Sequence, residues 1–145
     1  VVPQNVAAGS FHTLVLKIDK SLWTTGDNNY GQLGNSNNLS AITLQMIMTD
    51  VQKIDSKYDH VLVIKTDQTL WGWGDGVFGK LGDGTNGTVN KPKQITNNVK
   101  DIATGTTHSI ILKNESTFLG AGSNRFGQLG DDTKVDKLIF TEIKL

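Results

Sequence analysis

The hydrophobic pattern of this chain is one of short runs, each cut off by polar turns. Thr13-Leu14-Val15-Leu16, Val61-Leu62-Val63-Ile64 and Ile110-Ile111-Leu112 are apolar and β-branched, the pattern of strands covered on both faces. About three residues after each run come polar pairs, Asp19-Lys20, Asp67-Gln68 and Glu115-Ser116, followed by Leu22-Trp23, Leu70-Trp71-Gly72-Trp73 and Phe118-Leu119. Two apolar runs about a short polar turn predict a hairpin. A glycine-rich loop comes next. Alternation at Ile42, Leu44, Met46 and Met48, echoed by Pro92-Lys93-Gln94-Ile95 and Phe140-Thr141-Glu142-Ile143, predicts another strand, and Val51 with Ile54, like Val99 with Ile102, predicts one before the next histidine run. No window sustains a 3.6-residue apolar period, so essentially no helix is expected.

These runs recur at a constant interval. His12, His60 and His108 lie 48 residues apart, as do Gly26, Gly74 and Gly122, and the frames Gly31-Gln32-Leu33-Gly34, Gly79-Lys80-Leu81-Gly82 and Gly127-Gln128-Leu129-Gly130. Trp23 and Trp71 match, with Leu119 in the third copy. Four short strands in a unit of this length, with aromatic and glycine marks, make up a propeller blade. The expected fold is therefore all-β: three blades of four antiparallel strands, approximately 3–50, 51–98 and 99–145, forming a partial propeller or half of a closed ring.

The order Ala7-Ala8-Gly9-Ser10-Phe11-His12, an apolar run, an acidic turn, Leu22-Trp23-Thr24-Thr25-Gly26, then Asn28-Asn29-Tyr30-Gly31-Gln32-Leu33-Gly34 resembles the regulator of chromosome condensation repeat over the whole chain. The resemblance implies blades of a seven-bladed propeller. The copies depart from the pattern at Lys57, where the first glycine is lost, at Leu119 and Ala121, where copy three lacks both tryptophans, and at Lys20, Gln68 and Ser116, where the turn lacks its glycine.

Three blades leave two blade faces uncovered, and a soluble chain rarely tolerates so much apolar surface. Either the chain is a fragment of a longer propeller or copies assemble, two chains giving six blades. Self-association is the expectation taken forward.

Charge narrows the partners. Fourteen basic residues balance fourteen acidic ones, and only Arg125 is arginine, so neither nucleic acid nor an anionic membrane is an expected partner. Nor does any segment approach a membrane span, and the first residues lack the basic and apolar regions of a signal peptide. Cysteine is absent, which excludes disulfides and thiolate metal sites and leaves the compartment open.

Each candidate chemistry has a plainer explanation in the repeat. One histidine per blade points to a buried imidazole serving backbone groups, not to a metal site. Gly74 to Lys80 fits a phosphate-loop frame, but Leu81 stands where Ser or Thr is needed, and the frame recurs without its lysine. Asp83-Gly84-Thr85-Asn86-Gly87 reads as a turn, lacking the spacing and closing glutamate of a calcium loop. Asp131-Asp132 lies in a polar loop and no nucleophilic grouping stands out. No enzyme activity and no cofactor are expected.

In the family it resembles, the short loop between the glycine and the histidine contributes partner contacts. Carried over, these positions are Ser10 and Phe11, Tyr58 and Asp59, and Thr106 and Thr107. Phe11 and Tyr58 are the strongest candidates, because aromatic side chains supply much interface energy. Tyr30, Phe78 and Phe126 share one repeat position and are expected to pack. The leading expectation is a non-enzymatic protein-binding module. The alternatives are a fragment of a guanine-nucleotide exchange factor or of an enzyme-inhibiting propeller, and a structural array that assembles on itself.

Overall fold

A computed structural model describes residues 2–145 of the chain. It contains twelve strands in three four-stranded antiparallel sheets, each a simple meander. The first sheet holds β1 (Pro3–Ala8), β2 (His12–Lys17), β3 (Leu22–Gly26) and β4 (Ala41–Met48). The second holds β5 (Val51–Lys57), β6 (His60–Lys65), β7 (Leu70–Gly74) and β8 (Val89–Thr96). The third holds β9 (Val99–Thr104), β10 (His108–Lys113), β11 (Phe118–Gly122) and β12 (Lys137–Ile143). Among the described residues the only helical turn is a single 3-10 turn at Val77–Gly79.

The sheets stack as successive blades, and the alternation of side chains along each strand decides which blade it meets. In β6, Val61 and Val63 pack with Leu14, Leu16, Leu22, Val51, Ile54 and Trp73 between the first and second blades. Leu62 and Ile64 turn the other way, onto Leu70, Val99 and Ile111 between the second and third. The middle blade is thus covered on both faces, which is why its sequence reads as an unbroken apolar run. The outer blades are covered on one face only: Thr13 in β2 is exposed, and Ile110 and Leu112 in β10 remain half-buried.

Local chemistry fixes the hairpins. Asp19 accepts hydrogen bonds from the Ser21 backbone N–H (3.0 Å) and hydroxyl (2.6 Å), and Ser21 Oγ in turn accepts one from Trp23 Nε1 (2.9 Å). Asp67, Thr69 and Trp71 repeat the relay in the second blade. This relay holds the first two turns even though Lys20 and Gln68 adopt left-handed φ values of 67° and 68°, a conformation more easily reached by glycine. In the third, where Ser116 has a φ of 67°, only the Thr117 hydroxyl donates to Glu115 (3.3 Å). Lys17 lies 3.7 Å from the centre of the Trp23 ring and covers that side chain's outer face.

The glycine-rich loops are organised from within. Asn28 is fully buried; its side-chain carbonyl accepts from the Leu33 N–H (2.9 Å) and its amide donates to the carbonyls of Asn37 (2.8 Å) and Leu39 (3.1 Å). Asn124 does the same for Leu129 in the third blade. Gly76 replaces this asparagine in the second blade, where a Cβ would lie 2.1 Å from the Gly87 carbonyl oxygen, and there the loop closes by the 3-10 turn instead.

One sequence expectation fails here. Tyr30, Phe78 and Phe126 do not pack: all three are exposed, Phe126 to 83%. The inward position of the frame belongs to Leu33, Leu81 and Leu129, and the left-handed φ of Phe78 (64°) and of the following glycines turns the aromatic rings out to solvent. The alternation at Ile42, Leu44, Met46 and Met48 is a strand as expected, β4, and Ile42, Leu44 and Met46 are exposed on this outermost strand of the first blade. No helix of the described residues is long and apolar enough to cross a membrane.

Candidate functional site

The three loops between the first and second strands of the blades emerge at the same end of the stack and touch. The Ser10 N–H donates to the Tyr58 carbonyl (2.8 Å), tying the first loop to the second, and Lys80 Nζ donates to the Thr106 carbonyl (3.4 Å), reaching the third. Ser10, Tyr58 and Thr106, with Lys57, line one open depression of about 280 Å³. Beneath them each loop is pinned to the end of the third strand: the N–H groups of Asp27, Asp75 and Ser123 donate to the carbonyls of Phe11, Asp59 and Thr107. This approach requires glycine at Gly26, Gly74 and Gly122, whose φ values are +113°, +97° and +106° and where a Cβ would lie within 2.6 Å of those carbonyl oxygens.

Of the six loop residues carried over from the sequence, four lie open on this face. Phe11 is 76% and Tyr58 52% exposed, and Ser10 and Thr106 are exposed beside them. Thr107 is half-buried, and Asp59 is buried to 7% exposure, so its carboxylate lies under the surface and is not a rim contact. Among the described residues no hydrogen bond reaches the Asp59 side chain; burial pushes its carboxyl up, opposed by the charge of Lys80 and reinforced by Asp75 and Asp27.

Lys80 is the residue the sequence did not identify. It is 1% exposed, its ammonium bonds Asp75 at 2.8 Å, and it stands 5.8 Å from the centre of the Tyr58 ring. The signal lies in a matched change: Asp27 pairs with Gln32 in the first blade (2.8 Å), Asp75 with Lys80 in the second, and Ser123 precedes Gln128 in the third. The lysine of the phosphate-loop look-alike is thus consumed by an internal ion pair under the loop face. A buried ion pair of this kind fixes geometry more than it adds stability.

The histidines lie at the blade junctions. Ser56 Oγ donates its proton to the His60 carbonyl (2.9 Å), so the contact between Ser56 Oγ and His12 Nε2 (2.8 Å) has the imidazole N–H as donor. Ser109 Oγ likewise donates to the Lys80 carbonyl (2.7 Å) and receives the His60 Nε2 proton (2.9 Å). Both rings are neutral joints between neighbouring blades, with Nδ1 left unpartnered. Burial lowers the pKa of His12 to about 4 and of His60 to about 3, and lowers that of His108 as well. Because the folded values lie below the unfolded 6.5, the stabilisation is complete above that pH and is lost as pH falls from it towards the folded values. Between pH 7 and pH 5 a loss of about 2 kcal/mol for each of the two rings is expected. Urea titrations at the two pH values measure it, and His12→Gln with His60→Gln should remove most of the slope.

Among the described residues no group of three or more His, Asp or Glu side chains is placed to hold a metal ion.

Two models of the Regulator of chromosome condensation (RCC1) repeat match the chain, one over residues 4–32 and 51–80 and the other over 67–112. No curated protein matches it in sequence. Among solved structures, human WBSCR16 superimposes with a TM-score of 0.87 at 24% identity, over 98% of this chain and 38% of that one. Prp20p from Saccharomyces cerevisiae, described with its binding to Gsp1p and histones, gives 0.87 at 20% identity over 99% and 38%. Yeast RCC1 (Prp20) bound to Kap60 gives 0.86 at 20% identity, over 99% and 37%. The chain therefore spans less than two fifths of the length of these structures.

Proposed function

From the membership of this chain in the regulator of chromosome condensation repeat family, we propose that it is a protein-binding module without catalysis of its own, with the loop face around Phe11 and Tyr58 as its contact surface. The observation that carries this reading is the pair of large aromatic side chains left open on loops whose backbone is pinned at the Phe11, Tyr58, Asp59 and Thr107 carbonyls. Rigid aromatic anchors lose little conformational entropy on binding and are enriched among the residues that dominate interface energies. The similar yeast protein is described as binding other proteins, which favours a protein partner here too. A nucleotide-exchange role draws less support, because it calls on contacts from a complete ring and the chain covers 38% of its similar structures.

Phe11→Ala together with Tyr58→Ala should lower partner affinity by about 100-fold or more while leaving the melting temperature within a few degrees, because neither ring belongs to the core. Surface plasmon resonance beside thermal denaturation measures both. Unchanged affinity would move the contact surface elsewhere.

The open faces of the first and third blades are apolar, and we propose that the chain associates with itself to cover them.

A further inference from the structure

The two junctions inside the chain share a histidine donor and a pair of glycine recesses. The accepting hydroxyl (Ser56 of β5, Ser109 of β10) and the ring over the second glycine (Trp73 of β7, Phe140 of β12) come from different strands, and the second junction is the template for the parts left over at the ends. At the first junction His12 donates to Ser56, and Gly31 and Gly34 leave room for Asn90 and for the Trp73 ring of the following blade. At the second, His60 donates to Ser109, and Gly79 and Gly82 leave room for Leu138 and Phe140. The third blade carries the same set again in His108, Gly127 and Gly130. Nothing lies within 4 Å of a Cβ placed on either glycine, and among the described residues His108 makes no side-chain hydrogen bond. Beside them Ile110, Leu112 and Phe118 line an open groove of about 200 Å³.

The first blade carries the matching parts, equally unused. Thr13 occupies the repeat position of Ser109, Ile42 that of Asn90 and Leu138, and Leu44 that of Phe140. Thr13 and Leu44 are exposed and Ile42 is completely so. On the same blade Val6 and Met46 are exposed and Trp23 is half-buried. Hydroxyl, branched aliphatic and bulky apolar groups at these offsets are what the third blade lacks.

We propose that a second copy of this chain seats its first blade on the third blade of the first copy, head to tail. His108 then donates to Thr13, as His60 does to Ser109, and the space over Gly127 and Gly130 receives Ile42 and Leu44. The occupant is a blade of this same repeat because the donor histidine and the two glycine recesses are those of both internal junctions, and Thr13, Ile42 and Leu44 stand at the positions that Ser109, Leu138 and Phe140 fill at the second. This inference rests on the self-association proposed above and adds the surfaces and their polarity. Such a contact is heterologous, so each copy offers one face of each kind, and a pair closes when both contacts form.

Light scattering on a size-exclusion column at micromolar concentration tests it, with three chains: the wild type, Ile42→Asp with Leu44→Asp, and Ile110→Lys with Leu112→Lys. The wild type should run at twice the 15.7 kDa chain mass or more. Each variant alone should dissociate at least tenfold more readily, a change of about 1.4 kcal/mol. An equimolar mixture of the two variants should recover a two-chain species through the one junction left intact, which also shows that both are folded. A folded wild-type monomer would overturn self-association and the junction together. A wild-type oligomer whose mass neither variant changes, or variants that do not pair when mixed, would overturn the junction and leave self-association standing.

Discussion

Replacing Trp73 with alanine should remove about 3–5 kcal/mol of stability, the range for deleting a fully buried tryptophan. The ring is completely buried between the first two blades, among Leu14, Leu16, Val61 and Val63. Its indole N–H donates to the Gln32 carbonyl at 3.0 Å, and its edge lies against Gly34, where a Cβ would come within 2.8 Å of Nε1. Alanine there leaves a cavity and an unpaired buried carbonyl, and those two costs add. The other blades hold Thr25 and Ala121 at this repeat position, so the tryptophan belongs to one junction and is not a property of the repeat. Far-ultraviolet circular dichroism in urea reads the loss as a lower midpoint. Trp23→Ala, at a half-buried outer position under Lys17, should cost clearly less.

Gly82→Ala and Gly130→Ala should differ sharply although the two glycines share a backbone conformation. Their φ values are +69° and +70°, so both variants pay the left-handed penalty of about 1–2 kcal/mol. At Gly82 the new methyl would also meet the Phe140 ring at 2.3 Å, whereas at Gly130 it meets nothing within 4 Å. Overpacking adds about 1–3 kcal/mol, so Gly82→Ala should be the more damaging by that amount when the chain is dilute enough to be monomeric. Equal losses in urea would mean that the blades are not held together through these glycines.

Much of this was legible in the sequence, because a constant 48-residue spacing carries every strand along with it. The runs about His12, His60 and His108 became the second strand of each blade, and the polar pairs became turns. What the sequence could not supply was direction. Ile42, Leu44 and Met46 alternate as a core face does, but their covering blade is not in the chain, so the pattern is that of an interface left open. Tyr30, Phe78 and Phe126 share a repeat position yet point outward, because regularity in a glycine-rich turn shows that the backbone recurs and not which side it presents. The candidate loops lie together at one end of the stack, but only folding shows that Asp59 is buried while its neighbour Tyr58 is exposed. Lys80 was equally hidden: its partner is five residues back, and a loop must close before Asp75 can reach it. The bonds from His12 to Ser56 and from His60 to Ser109 cross blades, over separations that local pattern does not encode.

The loop face as contact surface is tested most directly by photo-crosslinking from two exposed positions at opposite ends of β2. A benzophenone side chain is placed at Phe11, in the loop before the strand, or at Ile18, in the turn after it, which is 57% exposed. Irradiation in the presence of the native cellular proteins should join a discrete partner polypeptide to the Phe11 chain, identified by mass spectrometry, and leave the Ile18 chain free of it. The same partner captured equally from Ile18, or from Ile18 alone, would contradict the assignment of this face.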